Sequence, residues 1–200
     1  MSAPMTRMTV FLDRQHSGQI RKPQAYGAFS GHHGRHEADM TADYLLACER
    51  SLRLAGVDVI PISDGTYRER HARVLDYAAG LSGPCVYVAA HINAGGGDYG
   101  CVFHDHRSTM GKSCAEFVAD SLDDACPELA RVLAKPCTAA DWTKNAFATV
   151  RGIYAGRPFG LCFEPCFLDN DTHNKLLESR GLARIGEALA NGIITWMENR

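Results

Sequence analysis

Short apolar runs that alternate with amphipathic segments constrain the fold of this 200-residue chain more than any other feature. The run PCVYVAAH at 84–91 contains no charged residue before its final histidine, which is typical of a strand buried on both faces. Similar short runs occupy 8–13, 57–62, 99–105, 150–156 and 158–165. A sheet built from such strands needs helices on both of its faces.

The segments between these runs have helical periodicity. The segment 37–56 spaces its apolar residues as one helix face and ends at Gly56, and three more helices are predicted at 67–80, 111–126 and 173–200. No element is predicted over 127–149. The order predicts an α/β fold, a three-layer architecture in which a mainly parallel, twisted sheet of about six strands has helices on both faces.

Composition bounds the class of protein. A chain with 46% hydrophobic residues can build one sizeable core, so we expect a single domain over residues 1–200. The 21 Lys and Arg residues against 23 Asp and Glu leave no basic excess, which argues against a nucleic-acid partner.

Neither the N-terminus nor any later run favours export or membrane insertion. The first apolar run is shorter than the roughly 7 to 15 residues of a signal-peptide core, and no uncharged run approaches the roughly 20 residues of a membrane span. We therefore expect synthesis in the cytoplasm without a signal peptide, and no stable membrane association. The eight cysteines form no C-x-x-C pair, and we expect them to be reduced.

Polar side chains follow three of the predicted strands at their carboxyl ends. These are His16, His91 and Glu164, and Glu37 opens the first helix. Carboxyl ends of parallel strands meet at one edge of a sheet, and two imidazoles with a carboxylate form a common catalytic zinc site. Two other interpretations stay open. His91 could be a hydrogen-bonded core histidine, and Glu37 could be favoured at a helix N-terminus by the helix dipole alone.

Four motifs extend this interpretation over nearly the whole chain. They are FLDRQHSG at 11–18, HEADMTADYLLACERSLRLAGVDVI at 36–60, VAAHINA at 88–94 and FEPCFLDNDTHNKLL at 163–177. With them the sequence resembles the zinc-dependent N-acetylmuramoyl-L-alanine amidases of the type-3 family, from Thr9 to about Trp196.

The resemblance implies that His16, Glu37 and His91 bind zinc and that Glu164 is the catalytic carboxylate. Asn93 would contact the substrate, support a neighbouring residue or simply form a turn. The bond cleaved would join N-acetylmuramic acid to L-alanine in peptidoglycan, with the muropeptide stem as partner. The chain would be one catalytic domain without a separate wall-binding domain, acting as a phage or prophage endolysin on the cell wall after release.

The sequence departs from the family near the expected site. Gln15 replaces a glycine, Ala90 replaces a frequent serine, and Pro165-Cys166 replaces a residue followed by glycine. These departures concern the local backbone and leave the four expected functional side chains in place.

A long, histidine-rich segment separates His16 from Glu37, and we expect it to form a loop at the rim of the site. The segment offers substitute ligands in His32, His33 and His36, and His33 has the i, i+4 spacing to Glu37 that meets on one helix face.

Two further motifs favour structural roles. The HDH motif at 104–106 could bind metal, but alternate polar residues at the end of a strand more often form a solvated edge. The GGG motif at 95–97 predicts a flexible turn, because no Lys-Ser/Thr follows it as a phosphate loop requires. For the whole chain, two alternative functions stay open. One is a zinc amidohydrolase or carboxypeptidase acting on another peptide, and the other is a metal-free module that binds wall peptide.

Overall fold

The structure, a computed structural model, describes residues 7–17, 27–138 and 158–200. The predicted strand at 150–156 lies outside these residues. Within them the strands are β1 (Thr9–Arg14), β2 (Phe29–Ser30), β3 (Arg35–His36), β4 (Asp58–Ile62), β5 (Cys85–Ala90), β6 (Gly100–Asp105), β7 (Val132–Cys137) and β8 (Phe159–Glu164). The helices are α1 (Glu37–Leu54), α2 (Tyr67–Ala79), α3 (Thr109–Ala125) and α4 (Ser179–Glu198), and a 3-10 helix spans Asp171–Leu177.

Six of the strands form one sheet in the order β4-β1-β5-β8-β6-β7. All neighbours are parallel except β8 and β6, which are antiparallel, so the predicted mainly parallel sheet is confirmed. The carboxyl ends of β1, β5 and β8 lie at the same edge. At that edge Glu164, the last residue of β8, is opposite Cys101 near the start of β6.

The two faces of the sheet are covered by different helices, as expected for strands buried on both sides. Val10 and Val88 pack on one face in a core that includes buried residues of α1, α3 and α4. Phe11 and Tyr87, the alternate residues of the same strands, pack on the other face with Val74 of α2. The three-layer α/β prediction is thus confirmed. No helix in the part of the chain that the structure describes has the length and apolarity needed to cross a membrane.

The C-terminal helix is shorter than predicted. The helical pattern at 173–200 divides at Glu178, whose backbone is extended, so that the 3-10 helix precedes it and α4 begins at Ser179. Gly181 therefore lies in the first turn of α4 and not inside a long helix. A Cβ at Gly181 would lie 2.3 Å from the Lys175 carbonyl oxygen, so the absence of a side chain lets this turn pack closely on the 3-10 helix.

Strand β7 falls in the region for which the sequence predicts no element. It is an edge strand whose Lys135 and Pro136 are exposed, so it lacks the apolar run of a central strand. A proline is tolerated there because an edge strand has one side without a pairing partner.

Candidate metal site

Three predicted ligands converge at the carboxyl edge of the sheet. His16 lies two residues beyond β1, Glu37 is the first residue of α1, and His91 directly follows β5. One donor atom from each lies within 4.8 Å of the other two. Among residues 7–17, 27–138 and 158–200 this is the one group of three histidine, cysteine or acidic side chains with that proximity.

The Glu37 carboxylate is buried and held on both oxygens. Oε1 lies 3.0 Å from Nδ1 of His91 and accepts a 3.0 Å hydrogen bond from the Ile92 N–H, while Oε2 accepts a 3.2 Å bond from the Ala28 N–H. Nε2 of His16 lies 3.5 Å from Oε1. Burial alone would raise the pKa of Glu37, but the hydrogen bond and the charge of His91 bring it below its usual value. Glu37 is therefore a carboxylate near neutral pH.

At Gly27 the backbone passes close to the Glu37 carboxylate. Gly27 has a φ of +76°, and a Cβ there would lie 2.3 Å from Oε2 of Glu37. A side chain at position 27 would thus displace the carboxylate. No pattern in the sequence identifies this contact, because it joins residues on two different local structures.

His91 is 8% exposed and is fixed through its backbone as well as its ring. Its N–H donates to the Phe163 carbonyl at 2.9 Å, and its own carbonyl accepts from the Tyr44 hydroxyl at 2.9 Å. Nε2 is buried and has no hydrogen-bond partner among the described residues. A fully hydrogen-bonded core histidine would satisfy both ring nitrogens, so the unpaired Nε2 argues against that interpretation.

The electrostatic surroundings of His91 favour a cation. Burial lowers the pKa of the imidazole, but the hydrogen bond and charge of Glu37 and the charge of Glu164 raise it above its usual value. The same negative charges that stabilise a proton here would stabilise a metal ion. Two imidazoles and a carboxylate are also a donor set that suits zinc.

The backbone of His16 adopts a left-handed conformation, with a φ of +62°. This conformation is uncommon outside glycine, although histidine adopts it more readily than most residues, and such outliers cluster at functional sites. The positive φ falls on His16 and not on the preceding Gln15. Gln15 is instead fully buried, and its Nε2 donates to Oδ2 of Asp13 at 2.6 Å.

Glu164 lies at the same cleft but is not a member of the three-residue group. It is 9% exposed at the end of β8, and Cys162 donates to its Oε1 at 3.8 Å. Burial raises the pKa of Glu164, and the charge of Glu37 raises it further against the opposing effect of His91. The site thus holds two carboxyl groups whose pKa values are shifted in opposite directions.

Asn93 is held by its surroundings. Its Oδ1 accepts from the Ala94 N–H at 2.8 Å, and its side chain lines the cleft beside Glu164, whose pKa it lowers slightly against the larger effect of burial. Its backbone N–H donates to the Cys166 carbonyl, and its carbonyl accepts from the Leu168 N–H. Asn93 is therefore fixed next to Glu164 at the cleft.

The cleft around these groups has a volume of about 290 Å³ and is lined by His16, Ala28, Glu37, Tyr67, His91, Ile92, Asn93, Ala94 and Glu164. Tyr67 is missing from the sequence prediction because it begins an amphipathic helix and there resembles an ordinary packing residue. The available signal is its position, since Tyr67 opens α2 directly after the loop that leaves the carboxyl end of β4.

The other histidines between His16 and Glu37 do not join the site. Part of the predicted loop is a hairpin of β2 and β3, and residues 18–26 lie outside the described residues. The expectation that His33 shares a helix face with Glu37 is wrong, because α1 begins at Glu37 and His36 before it is extended. None of His32, His33 and His36 belongs to the three-residue group.

The two remaining motifs are more ordered than predicted. His104 and Asp105 are buried, so the predicted solvated edge is wrong for both, and the Asp105 carboxylate accepts from the Arg107 side chain at 2.7 Å. In the glycine run, the N–H groups of Gly95 and Gly96 donate to the Asp169 carboxylate at 2.8 and 3.0 Å. The run is thus fixed to the segment that follows β8.

No protein-family model matches this sequence, and no curated protein gives a significant match. Several solved structures do match this chain. Ami1, an N-acetylmuramyl-L-alanine amidase from Mycobacterium smegmatis, has a TM-score of 0.73 at 16% identity, over 99% of this chain and 100% of that one. The CwlD amidase from Clostridioides difficile, in complex with the GerS lipoprotein, has a TM-score of 0.72 at 18% identity, over 96% and 99%.

A third solved structure is the catalytic domain of the CD27L endolysin, which targets Clostridia difficile. It has a TM-score of 0.56 at 16% identity, over 95% of this chain and 97% of that one. Sequence identities this low show that the proteins share a fold and nothing further. The chain therefore has the fold of N-acetylmuramoyl-L-alanine amidases.

Proposed function

We propose that this protein hydrolyses the amide bond between N-acetylmuramic acid and L-alanine in peptidoglycan, with zinc as its cofactor. One observation carries the proposal. On an amidase fold, His16, Glu37 and His91 offer donor atoms within 4.8 Å of one another in a cleft that also contains Glu164. The ionised Glu37 and the negative charges that surround His91 support a metal at this position.

Zinc, when bound, would polarise the scissile carbonyl and lower the pKa of the attacking water toward ~7. Glu164 accepts the proton of that water on its carboxylate and returns it to the L-alanine nitrogen. The transfer is needed because an amine anion is too poor a leaving group to depart unprotonated. The raised pKa of Glu164 suits a group that must both take and release a proton near neutral pH. Asn93 keeps the carboxylate facing the cleft.

We further propose that the protein is a phage or prophage endolysin, made in the cytoplasm and active on the wall after release. The fold it shares with the CD27L catalytic domain supports this role. So do its eight free cysteines, because reducing compartments keep thiols unpaired.

The test is digestion of purified peptidoglycan, with free N-terminal L-alanine as the measured product. Chelator should abolish the release and zinc should restore it. Glu164→Gln should keep the bound zinc and lose about 10²- to 10⁴-fold in rate, as expected on removal of a positioned proton-transfer group. Glu187→Gln, on the exposed side of α4, is the matched control and should retain full activity.

Each of the other outcomes contradicts a defined part of the proposal. Near-normal hydrolysis by Glu164→Gln would exclude the proton-transfer role, and loss of zinc from that variant would make Glu164 a ligand. Release of a different amino terminus would indicate another peptide substrate. Binding to the wall without any release would indicate a binding module.

A further inference from the structure

Arg70, in the first turn of α2, is a fully buried cation outside the cleft lining. Its Nη1 forms an ion pair with Oδ1 of Asp13 at 2.7 Å and donates to the Arg14 carbonyl at 2.9 Å. Its Nη2 donates to the Ser17 carbonyl, and its Nε donates to the Gly65 carbonyl at 3.0 Å. A buried guanidinium with this many hydrogen bonds holds the carbonyl and carboxylate groups that accept them in place.

The contacts of Arg70 enclose the turn that presents His16. The Arg14 and Ser17 carbonyls lie on either side of His16 in sequence, and both accept from the same planar group. His16 between them has the left-handed φ of +62°. Such a conformation persists only when the surrounding structure over-determines it, and the Arg70 guanidinium supplies that restraint.

The counter-charge of Arg70 is itself held rigidly. Asp13 is fully buried, and its Oδ2 accepts from the Tyr87 hydroxyl and from Nε2 of Gln15. The network thereby joins α2 to β1, to β5 and to the residue directly before His16. Movement of the His16 turn would require several buried hydrogen bonds to break together.

We propose that Arg70 is a positioning residue that holds His16 in its metal-binding conformation. The proposal rests on the proposed function, in which His16 binds zinc. Arg70 acts through the backbone carbonyls of Arg14 and Ser17. Without the guanidinium the turn relaxes toward an ordinary backbone conformation, and His16 moves away from Glu37 and His91.

If Arg70 only stabilised the fold, a folded variant would keep its zinc affinity. The variants are chosen to separate this structural role from the positioning role. Arg70→Lys retains a positive charge for Asp13, but an ammonium group cannot reproduce the planar fork that spans the separate carbonyls. Arg73→Lys is the matched control. Arg73 lies one turn further along the same helix and is exposed, where it pairs with Asp64 at 3.1 Å.

The first measurement is zinc affinity of the folded proteins, by competition with a chromogenic chelator. Arg70→Lys should bind zinc about 10- to 100-fold more weakly than the wild type, which is the usual effect of losing a group that orients a ligand. Arg73→Lys should match the wild type. The double variant Arg70→Met with Asp13→Asn leaves no unpaired buried charge, so it serves if Arg70→Lys fails to fold.

The second measurement is hydrogen–deuterium exchange of the zinc-free proteins over residues 13–17. Exchange there should be faster in Arg70→Lys than in the wild type or in Arg73→Lys, relative to peptides from β6. Unchanged zinc affinity, or unchanged exchange, in a folded Arg70 variant would overturn the proposal. If the wild type binds no zinc, the proposed function fails, while the exchange result still decides whether Arg70 restrains this turn.

Discussion

Substitution of Gly27 by alanine should weaken metal binding by displacing Glu37. The new Cβ would lie 2.3 Å from Oε2 and 2.9 Å from both Cβ and Cδ of Glu37. Ordinary contacts between such atoms are about 3.5 Å, so the carboxylate must move by on the order of 1 Å. The movement would also strain the hydrogen bond from the Ala28 N–H, which anchors Oε2 at 3.2 Å.

The chain provides a control that separates this contact from backbone strain. Gly34 also has a positive φ, +61°, but a Cβ there meets no atom within 4 Å. Alanine in a left-handed conformation costs about 1 to 2 kcal/mol, and this applies to both glycines. Overpacking costs about a further 1 to 3 kcal/mol, and this applies to Gly27 alone.

Two assays measure the difference. Urea unfolding of the zinc-free proteins should show Gly34→Ala destabilised by about 1 to 2 kcal/mol and Gly27→Ala by about 2 to 5 kcal/mol. In a chelator competition Gly27→Ala should bind zinc about 10- to 100-fold more weakly, while Gly34→Ala should bind like the wild type. Equal zinc affinities for the two folded variants would refute the claim that Gly27 makes room for the Glu37 ligand.

Three more outcomes follow from the site and the core. His91→Ala should lose zinc by elemental analysis, because two remaining ligands hold it poorly, and full occupancy in this variant would exclude the site. Thiol titration of the denatured, freshly purified protein should find eight free thiols. The native protein should react slowly with the thiol reagent because its cysteines are buried, and burial raises the pKa of Cys101 to about 12. Three or four disulfides would instead indicate an oxidising compartment. His173 is buried and accepts from the Phe167 N–H, and burial lowers the pKa of its imidazole. The stability that this residue contributes is therefore present above the unfolded pKa of about 6.5. It is lost as pH falls from there through the lower folded pKa. His173→Asn retains an acceptor but cannot titrate, so its free energy of unfolding should fall less between pH 7.5 and pH 5 than that of the wild type.

The central strands could be predicted because each contains an uncharged, mainly apolar run, whereas the edge strand β7 could not. The helical periodicity at 173–200 is real on both sides of Glu178, but it gives no sign that the backbone there is extended. His104 and Asp105 look like exposed polar residues because nothing local indicates the Arg107 side chain that satisfies the aspartate.

Some residues of the site could likewise be predicted from the sequence and others could not. His91 and Glu164 could be found because each ends an apolar run, a position with few structural explanations. Arg70 could not be found, because an arginine on an amphipathic helix normally faces solvent and its partners come from β1 and the turn after it. Gly27 depends on a distance between two local structures, which periodicity does not encode.

The position of β8 has a consequence for how the chain is made. It is the last of the described sheet strands in sequence, yet it lies between β5 and β6. Until it arrives, β4-β1-β5 and β6-β7 are separate partial sheets, each with an unpaired edge. At about 5 to 20 residues per second, translation from Ala90 to Glu164 takes roughly 4 to 15 s, so these edges must avoid pairing with other nascent chains during that interval. Glu164 arrives with the same strand, so the nascent protein should remain inactive until the two halves of its sheet join.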